Sequence, residues 1–127
     1  KPEARPPEKP APGKPSWKKT VWLKVKYETV GPKGLHPLHV DITITVIRNT
    51  REDLEEYDKD LEQKILIGDE DLKENIIDAI VAAGFADELA RPIVNGSDLE
   101  LGISEYQELE YAEEESEKFE TERWTHA

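Results

Sequence analysis

The chain has 127 residues, 36% of them apolar and 36% charged, with a formal net charge of −12, no cysteine and no internal methionine. That excludes a disulfide framework, thiolate metal sites and a cysteine nucleophile. It also argues against binding to nucleic acid or to an anionic membrane surface, because both need a basic face. No run approaches the roughly 20 apolar residues of a membrane span, and no signal peptide is visible.

Charge and proline are distributed unevenly. Residues 1–19 hold six prolines (Pro2, Pro6, Pro7, Pro10, Pro12 and Pro15) and six cations (Lys1, Arg5, Lys9, Lys14, Lys18 and Lys19) against Glu3 and Glu8. With no aliphatic side chain larger than alanine, such a segment buries too little surface to fold alone. It reads as an extended, polyproline-like arm that lies on the surface of another chain. Its two PxxP spacings, Pro7–Pro10 and Pro12–Pro15, suit groove-binding domains; a spacer or surface-hugging arm is the plainer expectation.

Beyond the arm, residues 20–30 alternate, with Val21, Leu23, Val25 and Tyr27 on one side and Trp22, Lys24, Lys26 and Glu28 on the other. Period two with one apolar face predicts a half-buried strand. Gly31-Pro32-Lys33-Gly34 supplies a turn. Residues 38–49 alternate again, through Leu38, Val40, Ile42, Ile44 and Val46, so the pair reads as an antiparallel hairpin.

Thr50 followed by acids predicts a helix start, and Leu54, Tyr57, Leu61 and Ile65 carry the helical spacing. Gly68 breaks it. A second helix is expected from Asp69–Asp71, with Asp71 and Glu74 as a capping-box pair and Leu72, Ile76, Ile77, Ile80 and Val81 as its buried stripe. Gly84 closes that helix. Phe85 to Ala90 predicts one more helical turn, ending before Arg91-Pro92. After the Asn95-Gly96 turn signal, Leu99, Leu101 and Ile103 alternate as a final extended stretch of one strand or two. Between Glu105 and Arg123 stand nine acids and two cations, which reads as a solvated acidic tail.

The expected fold is α+β: a small antiparallel sheet, formed by the N-terminal hairpin plus a C-terminal strand, with two helices on one face and extended terminal arms. The boundaries are 1–19 for the arm, 20–112 for the compact domain and 113–127 for the tail. If the last strand lies beside the first, Lys24 and Lys26 face glutamates such as Glu108 and Glu110, each pair contributing roughly 0.2–1 kcal/mol.

Chemistry is sparsely signalled. His36, His39 and Asp41 form the one cluster with ligand character; three N/O donors suit zinc, but no fourth donor stands at a diagnostic spacing, so no metal or other cofactor is expected. Asp78, among Ile76, Ile77, Ala79 and Ile80, is placed facing water by helical geometry. No phosphate loop and no nucleophile motif is present, and the Asn95-Gly96-Ser97 triplet reads as a turn rather than a glycosylation site.

Aromatic residues say more. Trp17, Phe119 and Trp124 stand in polar terminal segments, and Trp22 falls on the polar side of its strand. Large rings in such settings are what interface hot spots look like, and these four are the candidate partner-binding residues. The leading expectation is a non-enzymatic structural or assembly protein, for example a virion component, attached by its arms to other protein subunits in a homo- or hetero-oligomer, with no direct contact to nucleic acid or membrane. The alternative is an acidic inhibitor whose carboxylates imitate nucleic-acid phosphates against a basic partner.

Overall fold

The structure is a computed structural model that describes residues 15–32 and 34–126; for 29–31, 35–38 and 122–126 the description is of the backbone. Residues 1–14 of the proline-rich arm, and the side chains of His36 and Trp124, lie outside the described residues.

The fold is α+β, with strands β1 (Trp17–Gly31) and β2 (Gly34–Arg48), helices α1 (Arg51–Ile67), α2 (Glu70–Ala82) and α3 (Asp87–Asn95), then strands β3 (Asp98–Ile103), β4 (Gln107–Glu108) and β5 (Ser116–His126). All pairings are antiparallel, and the sheet runs β3-β1-β2-β5, with β4 also on β1.

Alternation decides which face is buried. Val21, Leu23 and Val25 on β1 and Val40, Ile42, Ile44 and Val46 on β2 are all buried and point to the helical side. There they meet Leu54 and Leu61 of α1, Leu72, Ile76, Ile77, Ala79 and Ile80 of α2, and Ala90, Ile93 and Val94 of α3. Removing these branched side chains from water is the main stabilising term. α1 starts on Thr50, whose hydroxyl accepts from the Asp53 N–H at 3.1 Å, and ends on Gly68 in the left-handed conformation (φ 67°).

The structure corrects several expectations. α2 is capped by Asp69, whose carboxylate accepts from the Leu72 N–H at 2.9 Å, in place of the Asp71–Glu74 box, and Ala79 rather than Val81 completes its buried stripe. A third helix, α3, runs through Pro92 instead of stopping before it. Burial of Ala90, Ile93 and Val94 offsets the hydrogen bond and the fit that a proline costs inside a helix.

The sheet departs further. The strand beside β1 is β3, so Lys24 stands opposite Glu100 and Lys26 opposite Asp98, not Glu108 or Glu110. Lys26 also bonds Glu100 diagonally, and that lysine holds the Glu100 carboxyl below the usual carboxylate range. Residues 116–126 of the acidic tail are a strand paired along β2. β2 would otherwise present a long unpaired edge, and Phe119, opposite Ile44, adds a ring to the core.

Candidate interaction face and buried lysine cluster

The helices cover one side of the sheet, and among the described residues no element covers the other. On it lie Trp22, Lys24 and Lys26 from β1, Asp41, Thr43 and Thr45 from β2, Glu100 and Gly102 from β3, and Lys118 and Glu120 from β5. The registers place Trp22 between Thr43 on one neighbour and Gly102 on the other.

Trp22 remains 51% exposed. Its six-membered ring lies over Gly102: a Cβ at residue 102 would sit 3.7 Å from Trp22 Cε3. A glycine opposite an aromatic residue on a sheet is covered by the ring, which restores packing the missing side chain cannot supply. On the other flank Thr43 is only 7% exposed, and its buried hydroxyl has no hydrogen-bond partner among the described residues. A shallow concavity of about 680 Å³ opens beside the indole, walled by Lys24, Asp41, Glu100 and Gly102. The face therefore combines a half-bare aromatic ring, charges of both signs and one unsatisfied hydroxyl.

The other expected site residues fall differently. Trp17 and Phe119 are partly buried and packed against the core of their own domain, with the Arg51 guanidinium 6.0 Å from the Trp17 ring centre. The backbone of Trp124 pairs opposite Val40, and that of His36 opposite Thr29. His39 and Asp41 share the open face, opposite Lys26 and Lys24. Among the described residues no group of three His, Asp or Glu side chains is arranged to hold a metal ion. Asp78 is exposed on α2.

One cluster escaped the sequence reading. Lys19, expected in the arm, lies on β1 two residues before Val21 and thus on the apolar side, where its side chain is fully buried. Its ammonium contacts the carboxylate of Asp58 on α1 and lies 5.0 Å from the Tyr57 ring centre and 5.8 Å from that of Tyr106. The Tyr106 hydroxyl donates to the other Asp58 oxygen. Burial pushes the ammonium down to about 8; Glu62 opposes that shift and Arg48 adds to it. Burial also raises the Tyr57 phenol, helped by its hydrogen bond to Glu117, and raises that of Tyr106. The signal was present: extending the odd-numbered alternation back from Val21 puts residue 19 inside. A buried amine so enclosed, with no opening to solvent at its nitrogen, acts as an internal tie between β1 and α1, and two rings with one carboxylate compensate its charge.

The chain between β3 and β5 is held by short polar links. Ser104 and Thr20 exchange hydrogen bonds at 2.8 Å each, and the Glu113 N–H donates to Ser16 Oγ at 2.7 Å. Among the described residues no helix is long and apolar enough to cross a membrane. Comparison with protein-family models, with curated proteins and with solved structures found no match.

Proposed function

We propose that this protein is a non-enzymatic assembly module that attaches to other protein subunits through the open face of its sheet. The observation that carries the reading is Trp22: a large ring left half bare at the middle of an otherwise polar face, resting on Gly102 and beside the unsatisfied Thr43 hydroxyl. Tryptophan is the residue type most enriched among interface hot spots. A partner side chain over the indole removes apolar surface from water, and a partner polar group satisfies Thr43. The lysines and carboxylates around the ring then set register and orientation more than affinity.

The test is replacement of Trp22 by serine in the full chain, followed by cross-linking and mass spectrometry of the protein in its native environment. The reading expects partner cross-links from the lysines beside the ring, Lys24 and Lys26, that vanish in Trp22→Ser while the far-ultraviolet circular dichroism is unchanged. Cross-links that persist undiminished would overturn it.

A second reading has its own support in the helical layer. Glu52, Asp53, Glu55, Glu56, Asp60 and Glu62 on α1 and Glu70, Asp71, Glu74 and Asp78 on α2 are all exposed. That surface suits a basic protein, as an inhibitor imitating nucleic-acid phosphates does. Its mark is binding that weakens steeply with salt and responds to charge reversal on α1 rather than to Trp22→Ser.

A further inference from the structure

We propose that two copies of this chain associate edge to edge through β5, forming a closed dimer in which one sheet continues into the next. This deepens the assembly reading by naming one partner, a second copy, but it uses the β5 edge of the sheet rather than the Trp22 ring. β5 lies at the end of the sheet order and pairs with β2 on one side; among the described residues nothing pairs with its other side. A strand in that position offers a row of unpaired N–H and C=O groups. It is also firmly seated on its own domain. Arg48 donates to the Ser116 carbonyl at 2.9 Å, the Asn49 N–H donates to Glu115 at 3.1 Å, and the Thr121 hydroxyl donates to the Ala79 carbonyl at 2.8 Å.

The side chains select a second copy and a register. Lys118 and Glu120 are exposed on the open side of the sheet, and Glu117, Phe119 and Thr121 point to the helical side. Two β5 strands run antiparallel about a two-fold axis. Over residues 117–121, before the register shift that β5 makes against β2 at residue 122, the faces match only when the shift between registers is two residues, because a shift of one sets inner residues against outer ones. With Phe119 opposite Phe119, each Lys118 faces the partner's Glu120, which gives two opposite-charge pairs and no like-charge pair. Sliding one way sets Lys118 against Lys118; sliding the other way sets Glu120 against Glu120. Directly opposed like charges destabilise a sheet and opposite charges stabilise it. The sheet's other edge, β3, carries Asp98 and Glu100 and no cation, so it has no such self-match.

The test is sedimentation velocity of the full chain over a range of concentrations, with charge-reversed variants. A closed dimer is expected. Lys118→Glu and Glu120→Lys each weaken it by at least about tenfold, since each turns two attractive pairs repulsive, and the double variant K118E/E120K restores it. Both positions are exposed, and unchanged melting of the single variants separates lost association from lost fold. Because the chain has no cysteine, a mixture of Lys118→Cys and Glu120→Cys proteins, once oxidised, reports the register: a mixed disulfide forms ahead of either like disulfide. A monomer at every concentration, an open-ended ladder, a dimer indifferent to both reversals, or a predominant 118–118 or 120–120 disulfide each overturns the proposal. Trp22→Ser leaves this dimer intact, so failure here and failure of the Trp22 reading are told apart.

Discussion

The ammonium of Lys19, on the inner side of β1, is in contact with the carboxylate of Asp58 on α1, and the Tyr106 hydroxyl donates to the second oxygen of that carboxylate. The pair is asymmetric: the lysine side chain is fully buried, whereas Asp58 keeps 13% of its surface in solvent. Removing either partner therefore has different consequences. Asp58→Ala strands a buried cation and is expected to destabilise the fold by about 3–5 kcal/mol. Lys19→Met leaves Asp58 with Tyr106 and water and fills the same space with apolar atoms, so a change within about 1 kcal/mol is expected. Urea unfolding of the two variants at neutral pH measures the difference.

The same cluster sets the response to alkaline pH. The Lys19 amine titrates at about 8 in the fold, below its ordinary 10.5, so between those values the unfolded chain binds more protons and stability rises with pH. Tyr57 is shifted the other way. Above its ordinary value of 10.0 the unfolded chain loses a proton that the folded one keeps, and stability falls. The wild type is expected to gain stability from pH 8 toward 10, by at most about 1.4 kcal/mol per pH unit, and then to lose it. Lys19→Met should show only the loss, which melting temperatures across that range will reveal.

The ends of α1 supply a local check on what starts and stops a helix. Thr50→Ala removes the hydroxyl that accepts from the Asp53 N–H and should cost about 1 kcal/mol. Gly68→Ala forces a Cβ into the left-handed conformation at φ 67° and should cost about 1–2 kcal/mol. The space around Gly68 is open enough for a methyl group, with only the Lys73 side-chain end nearby, so backbone strain is the reason for the loss. Thermal unfolding of the single and double variants should show near-additive effects, because the two caps share no partner.

Trp22 should matter little to the fold. Half of its surface stays in water, and its ring covers Gly102. Trp22→Ala is expected to cost about 1 kcal/mol or less, in the range of a cross-strand pair. Gly102→Ala should be tolerated, since the new methyl group meets the indole at ordinary van der Waals distance. Denaturant midpoints test both; a loss of several kcal/mol for Trp22→Ala would make the residue part of the core rather than a surface free for partners.

Much of the architecture was legible from periodicity. The hairpin, α1 and α2 follow from clean two-residue and 3.6-residue spacing of branched apolar side chains, and these signals are local. The places that misled were those where one local rule gave way to a long-range gain. α3 passes through Pro92 because Ile93 and Val94 are buried, and β5 forms from a segment whose charge reads as a tail because the free edge of β2 is there to receive it. Lys19 departs from expectation for a related reason: its charge points to the arm, whereas its place in the alternation sets it inside. For the open face, the sequence marked Trp22 as an aromatic on a polar side but gave no sign of its partner, since Gly102 lies eighty positions away.

By itself the order of residues determined the kinds of element, the buried side of the hairpin and the absence of thiol chemistry, because these depend on spacing and composition within a few residues. Only the tertiary structure decided which strands are neighbours, that helices cover one side and leave Trp22 on the other, and that a lysine is enclosed by Asp58, Tyr57 and Tyr106. Those facts depend on contacts between segments far apart in the chain, whose free energies come from shared burial and from satisfying backbone edges, and neither is written in any single stretch of sequence.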